Sequence, residues 1–528
     1  MTPRAVLGSL FLCSLAAAQA EPGAGAPRRD DAASNVLLIV IDTLRADRLS
    51  CYGYGRATTP AIDRLAARGR RFARAYATAP WTLPSTASLL TGLQPDVHGA
   101  TGFLASVSPE ARLLAEELAD RGFETAAFIG NYFVQPLFGF ERGFSSYNGD
   151  CMVDRAGINS DRISDKAIEW LSRPRERPFL LYLHYFDPHY NYWEHEGFAF
   201  GGEDTDRVFS GEDIFELRDH VKEFDAADRA RLDALYDSEV AFTDHHVGRV
   251  LDHLERTGRA ADTLVVVTSD HGEALGEHGW IGHTIQLYEE SVRIPLVIAG
   301  PGVTPGVSDA EPVQLDDVLA PLLALAAGGA EAEFTGPAAR LDPGLQPDEA
   351  LLAVQITGSD EPGEARPARI TRRGAWRLVV DRDESGADSY RLLKIDEPKG
   401  RRRKQPGDFP AEMKLLLEAR QSEFEERRKG LANGHNVLTR RRALVKGGWK
   451  LIVDEVDGRV ELYDLASDPQ ERSDLAAAEP ALAAALKRRL EALVGALQAA
   501  ALARGAEVSS RDADEARRRL NAIGYGNR

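Results

Sequence analysis

Cysteine is scarce in this chain, with three residues among 528, and one of them, Cys13, falls in the first twenty positions. Beyond that stretch only Cys51 and Cys151 remain. Two cysteines allow one bridge or two separate thiols, and they exclude a disulfide framework. Positive charge is also short: 64 Lys and Arg stand against 82 Asp and Glu, a formal net charge of −18. That balance argues against nucleic acid or an anionic membrane surface as the main partner. It leaves an anionic substrate open, because a bound metal can reverse the local field. Long apolar runs are missing after the amino terminus, so no later segment is built to span a bilayer.

The first twenty residues, "MTPRAVLGSLFLCSLAAAQA", have a basic start, a short apolar run and a small-x-small ending. This is the layout of a secretory signal cleaved after Ala20, and it predicts a periplasmic or secreted protein. Residues 21–34 read as a flexible leader. "NVLLIVID" then has the continuous apolar character of a central parallel strand. "TPAIDRLAARG" reads as a helix with Thr59 as N-cap, Pro60 at the first position and Gly69 at the stop. Helix and strand patterns keep alternating: "SPEARLLAEELADRG" and "ETAAFIG", then "SDKAIEWLSR" and "PFLLYLHYF", then a long helix from about Ala226 to Thr257 and "TLVVVTSD". The pattern predicts an α/β domain over 35–335, a mostly parallel sheet with helices on both faces. Ligand groups in such sheets gather beyond the carboxyl ends of the strands, where Asp42, Asp187 and Asp270 fall.

Past about residue 335 the character changes. "RRGAWRLVVDRDESGADSYRLLKIDEP" weakly repeats in "VKGGWKLIVDEVDGRVELYDLASDP", each a hairpin led by a Trp, Trp376 and Trp449. An α+β subdomain over 336–505 with a small antiparallel sheet and a packing helix follows, then a tail over 506–528. The basic run "KGRRRKQPGD" reads as a solvated loop rather than a nucleic-acid contact, and a charged helix is expected around 410–429.

Asp270 and His271 form an adjacent carboxylate and imidazole at a strand end. With Asp42 they offer three ligands for one divalent cation, and the Thr82 hydroxyl supplies a fourth. The imidazole favours zinc, then manganese, over calcium. Thr82 lies where "RFARAYATA" meets the helix start "PSTASLLTG", near the positive end of a helix dipole. His184, His245 and His246 sit in strand or helix settings and read as structural. The acidic segment from Glu194 to Asp225 is either a lid over the site or a loose surface insertion.

The runs "LLIVIDTLRADRLSCYGYGRATTPAIDRLAARGRRFARAYATAPWTLPSTASLLTG", "YLHYFDPH", "VVTSDHGEALGEHG" and "LYEESVRIPLVIAGPG" resemble the sulfatase family of the alkaline phosphatase superfamily. The resemblance runs in order over most of 35–475. It implies the alkaline phosphatase-like fold and hydrolysis of sulfuric or phosphoric esters. The departures are equally specific. The family's formylglycine precursor and the Arg four residues on are here Thr82 and Thr86, so no formylglycine can form. The family's sulfate-clasping Lys and His correspond to Asn131 and Phe133.

A formylglycine hydrate expels sulfate by collapsing to the aldehyde, which takes a second hydroxyl that Thr82 lacks. In-line attack on phosphorus suits a single hydroxyl better. Thr nucleophiles in the superfamily's phosphodiesterases and phosphoethanolamine transferases point the same way, and "GEHGWIGHT" resembles the transferases' His-bearing loop. The resemblance therefore implies Thr82 as nucleophile, His189 or His283 as acid and substrate contact, and Asn131 as a donor to the nonbridging oxygens. Asp187 with His189 and His283 offers a second metal site, or else these are substrate contacts. The expected substrate is a small-molecule, glycan or lipid ester. A phosphoethanolamine-type transferase and an inactive glycan-binding homologue are the competing expectations.

Overall fold

The computed structural model describes residues 34–102, 105–151, 159–308, 311–328, 348–356, 369–373, 376–382, 388–394, 402–403, 439–455 and 457–503. The signal sequence, nearly all of the leader, most of the basic run, the helix expected at 410–429 and the tail lie outside these residues. So does the boundary expected at 335.

The main sheet has eight strands: β1 (Asn35–Ile41), β2 (Arg70–Phe72), β3 (Glu124–Ile129), β4 (Ser146–Asn148), β5 (Phe179–Tyr185), β6 (Thr263–Thr268), β7 (Leu296–Ala299) and β8 (Gly306–Ser308). Their order is β8-β2-β7-β6-β1-β5-β3-β4. The run β6-β1-β5-β3-β4 is parallel throughout, and β7 pairs antiparallel with β6 and β2.

β1 shows why an unbroken apolar run belongs at the centre of such a sheet. Val36, Leu38 and Val40 pack into one core and Leu37, Ile39 and Ile41 into the other, none of them more than 1% exposed. Burying each such side chain contributes about 1.5–3 kcal/mol, which makes β1 a fixed base for whatever follows it.

The main helices are α1 (Pro60–Arg68), α2 (Thr82–Thr91), α3 (Leu114–Asp120), α4 (Ser160–Leu171), α5 (Ile214–His220), α6 (Ala226–Arg256) and α7 (Pro480–Ala503). α1 starts after Thr59 as its sequence predicts, but the Thr59 side chain does not cap it. Asp244 of α6 does so instead, accepting from Ala61 N at 2.8 Å and Ile62 N at 2.9 Å. The helix expected over 108–122 is shorter, because Glu116 accepts from Leu113 N and sets the start there.

The carboxyl-terminal part contains two four-stranded antiparallel sheets, one led by the Trp376 hairpin and one by the Trp449 hairpin. The second sheet joins the main domain through Lys450, fully buried, whose ammonium lies 3.0 Å from Glu289 and 2.9 Å from Glu471. Cys51 and Cys151 are free thiols, which removes the single-bridge option. Among the described residues no helix is long and apolar enough to cross a membrane.

Candidate active site

Four adjacent parallel strands, β6, β1, β5 and β3, deliver Asp270, Asp42, Asp187 and Asn131 just past their carboxyl ends. Asp42 follows β1 directly, and its N–H still donates to Tyr185 O at 3.0 Å. The chain then turns through Thr43 at φ 57°, a left-handed conformation that a β-branched residue rarely adopts. Tyr236 of α6 holds this corner, donating to Thr43 O at 2.6 Å and accepting from Arg45 N at 3.1 Å. Asp270 Oδ1 in turn accepts from His271 N at 2.9 Å and faces Thr43 N at 3.4 Å.

The ligand atoms of Asp42, Asp270 and His271 all lie within 4.8 Å of one another, and the three residues are fully buried. Asp42 Oδ1 and Asp270 Oδ2 have no hydrogen-bond partner. Burial, and then the Asp270 charge, push Asp42 well above the carboxylate range. Burial also acts on Asp270, yet the imidazoles of His271, His184 and His283 hold it at about 2. Two buried carboxylate oxygens without donors are costly unless a cation meets them. His271 fits the same reading. Its Nδ1 lies 3.0 Å from Gly272 O, which can only accept, so the proton sits on Nδ1 and the Nε2 lone pair faces Asp42 and Thr82. The donor set suits a divalent cation that tolerates imidazole.

Thr82 opens α2, with Trp81 extended before it. Its Oγ lies 3.4 Å from His271 Nε2 and accepts from Asn131 Nδ2 at 3.2 Å. The same Asn131 amide donates to Asp42 Oδ2, and its carbonyl oxygen accepts from Phe133 N at 2.7 Å, which fixes the amide's orientation. α2 is anchored below the site. Ser85 donates to Asp270 O, and His98 Nε2 lies 3.1 Å from both Pro84 O and Ser88 Oγ.

His283 comes from the loop after β6 and stands beside His271 (ring centroids 4.4 Å) and His189 (4.8 Å). Its Nδ1 faces Glu273 Oε1 at 3.1 Å. Burial pushes Glu273 up to about 8, against the pull of His271, Arg218 and Arg45. His189 Nδ1 lies 3.0 Å from Tyr190 O, and the Tyr190 ring stacks on His283 at 5.3 Å. The structure thus brings Asp42, Thr82, Asn131, His189, Asp270, His271 and His283 into one buried cluster.

Asp187 plays a different part from a second metal ligand. Its Oδ2 accepts from Asn159 N, Ser160 N and Ser160 Oγ, so it caps α4. Among the described residues the grouping of Asp42, Asp270 and His271 is the one cluster able to hold a metal. His184, read as structural, is buried on β5 with Nε2 3.7 Å from Asp270 Oδ2 of that grouping. His246 is buried, and burial lowers it to about 4. The segment from Glu194 to Asp225 packs onto the domain, with Val208, Ile214 and Leu217 buried in one of its cores. Arg231 pairs with Glu194 at 2.6 Å and Asp204 at 2.7 Å, and Arg218 of α5 packs over Trp280 at the rim.

Glu273, His98 and Tyr236 were not singled out by sequence reasoning. The adjacency of Glu273 to "SDHG" is the one local hint. Tyr236 sits 193 residues from its partner Thr43, and no local pattern announces it.

Comparison with known proteins agrees with this architecture. The sulfatase family model matches residues 34–329, and the chain belongs to the sulfatase family, a family of ester hydrolases. The N-acetylglucosamine-6-O-sulfatase of Bacteroides thetaiotaomicron is 24% identical over 398 residues, covering 59% of this chain and 71% of that protein. The arylsulfatase of Clostridium perfringens is 27% identical over 340 residues, 51% of this chain and 69% of its own. The phosphonate monoester hydrolase of Agrobacterium radiobacter superposes with a TM-score of 0.56 at 19% identity, over 88% of this chain and 96% of that one. That likeness bears on the fold alone.

Proposed function

We propose that this protein is an exported, metal-dependent ester hydrolase that uses Thr82 as its nucleophile and acts on a phosphoric rather than a sulfuric ester. The observation that carries this reading is the bracketing of Thr82 Oγ by His271 Nε2 at 3.4 Å and Asn131 Nδ2 at 3.2 Å. Asp42, Asp270 and His271, with the Thr82 hydroxyl, would hold one divalent cation, zinc or manganese before calcium. Bound there, such a cation lowers the pKa of a neighbouring hydroxyl and offsets charge on the ester. Export rests on the signal-like first twenty residues.

In the first step the Thr82 Oγ–P bond forms as the bond from phosphorus to the leaving oxygen breaks. The Thr82 proton passes to solvent, and His189 or His283 protonates the leaving oxygen. In the second step the same imidazole takes a proton from water, the new O–P bond forms, and Thr82 Oγ leaves and regains a proton. Asn131 Nδ2, which donates to Thr82 Oγ at 3.2 Å in the resting site, would turn that N–H to the oxygen that gains charge. With one hydroxyl, Thr82 leaves each ester to be cleared by water, a route long suited to phosphorus. The substrate is a small-molecule, glycan or lipid ester.

The test is turnover by the mature protein, stripped of metal and then given zinc, manganese or calcium, on aryl sulfate, aryl phosphate and bis-aryl phosphate. Phosphoester cleavage that disappears in Thr82→Ala is expected. Sulfate cleavage that survives in Thr82→Ala contradicts the proposal.

A further inference from the structure

We infer that His278 is a positioning residue for His283: its imidazolium clamps the hairpin that leads into His283 onto two other segments of the chain, and loss of one ring proton releases that hairpin. The effect on turnover rests on the reading of His283 as acid and substrate contact.

Ala274–Leu275 pairs antiparallel with Ile281–Gly282, and the turn between them carries His278 near its tip. His283 follows directly. One residue further on, Thr284 N donates to Pro80 O at 2.9 Å, two residues before Thr82. His283 is therefore held by the hairpin on one side and by the approach to Thr82 on the other. The same turn supplies Glu277, which accepts from Arg45 Nη1 at 2.8 Å and from Leu275 N at 2.6 Å, and so ties the hairpin to the corner after Asp42. His278 itself sits at φ 51°, a left-handed conformation that a non-glycine residue keeps only where its contacts hold it.

Those contacts come from two directions. His278 Nδ1 lies 2.8 Å from Glu290 Oε1, Nε2 lies 3.1 Å from Glu471 O, and the ring stacks on Tyr288 with centroids 3.7 Å apart. A carbonyl and a carboxylate only accept, so both ring nitrogens carry a proton when both bonds are made. A neutral ring has one proton and must give up one bond. The neighbouring charges are otherwise engaged. The buried Glu471 carboxylate meets Lys450 at 2.9 Å and accepts from Glu289 N at 2.6 Å, and Glu289 meets Lys450 at 3.0 Å. Tyr288 donates its hydroxyl to Glu461 at 2.9 Å, and Glu277 is on Arg45. Glu290, also buried, is the carboxylate bonded to the ring. Burial pulls His278 down, but the bond and charge of Glu290, with the carbonyl and charge of Glu471, carry it from 6.5 up to about 8. The clamp is thus complete below the ring's ordinary value of 6.5 and is lost as pH rises through about 8.

Glu290→Gln isolates the proton. Its amide can donate to Nδ1 of a neutral ring while Nε2–H still donates to Glu471 O, so the clamp no longer needs a second ring proton. In full-length protein carrying 13C-labelled histidine, the His278 resonance is identified by its loss in His278→Gln. It should titrate near pH 8 in wild type and at or below 6.5 in Glu290→Gln. Amide exchange over "ALGEHGWIG" should follow: the ratio of wild-type to Glu290→Gln rates should rise about 10-fold or more from about pH 6 to about pH 9. His278→Gln, with its fold checked by circular dichroism, should lose the inflection near pH 8 in exchange. A His278 ring that titrates below 6.5 in wild type, or an exchange ratio flat with pH, overturns the clamp. The His283 resonance should show an inflection at the pH where His278 titrates, absent in Glu290→Gln, and no such inflection in wild type overturns the positioning role. With zinc and bis-aryl phosphate, kcat should fall from a lower pH in wild type than in Glu290→Gln, with KM little changed. Identical kcat profiles also count against that role. Absence of any bis-aryl phosphate cleavage would instead sink the phosphoryl reading, and the titration and exchange results would still decide the clamp.

Discussion

Nε2 of His271 lies 3.4 Å from the Thr82 hydroxyl oxygen, while Nδ1 of the same ring lies 3.0 Å from the Gly272 carbonyl. The carbonyl fixes the tautomer, and the tautomer turns a bare lone pair toward the hydroxyl and toward Asp42. Gly272 is required for that approach, since a Cβ there would stand 2.1 Å from Glu290 O. One short loop therefore sets the ligand, its proton and its distance from Thr82 together.

The metal site proposed above is tested through its ligands. Asp42→Asn and His271→Ala should each weaken zinc affinity by about 100-fold or more, read as metal retained after dialysis against a chelator. Metal-free Asp42→Asn should also melt above metal-free wild type, because it removes one of two neighbouring buried carboxylates. Full metal retention in both variants would place the cation elsewhere.

The proposed role of Asn131 has its own test. Asn131→Ala should lower kcat by about 10²–10³ with a much smaller change in KM, as expected of a donor that strengthens in the transition state. Metal content should stay at the wild-type level. A loss confined to KM would make Asn131 an ordinary binding contact.

The corner after β1 is held from α6. Tyr236→Phe leaves Thr43 O and Arg45 N without their shared hydroxyl and should cost about 2 kcal/mol in denaturant unfolding. Thr43→Gly should recover about 1 kcal/mol, since glycine adopts φ 57° without strain. Destabilisation by Thr43→Gly would show that the Thr43 side chain outweighs its backbone.

Asp244 gives the fold a pH dependence. Its burial raises it from 3.8 to about 7, against the hydrogen bonds from Ala61 and Ile62. The folded protein then binds this proton more tightly than the unfolded chain does. The associated stability is full below the unfolded value of 3.8 and is lost as pH rises through about 7. Unfolding free energy of wild type relative to Asp244→Asn should fall between about pH 4 and pH 7. A difference that is flat or rises over that range contradicts the assignment.

What was legible in the sequence was whatever local chemistry spells out. An apolar run ending in Asp42, another ending in Asp270 next to His271, and a hydroxyl at a helix start all carry their meaning within a few residues. Asp187 closes such a run too, yet the structure spends it on the amide groups of Asn159 and Ser160, which the sequence separates by 27 or 28 residues. His184 looked structural because strand β5 is apolar around it, and only the sheet order sets it against Asp270. The cap on α1 moved from Thr59 to Asp244 for the same reason: a carboxylate 182 or 183 residues away reaches both amides.

The central claim is that Thr82 becomes covalently esterified during turnover. The most direct test is acid quenching of zinc-loaded protein within the first turnover of bis-aryl phosphate, followed by mass spectrometry of the peptide containing "ATAPWTLPSTASLLTG". The account predicts a phosphoryl aryl ester on Thr82 that decays as product accumulates and is missing in Thr82→Ala. Steady product formation with that peptide unmodified, or the adduct on another residue, would contradict it.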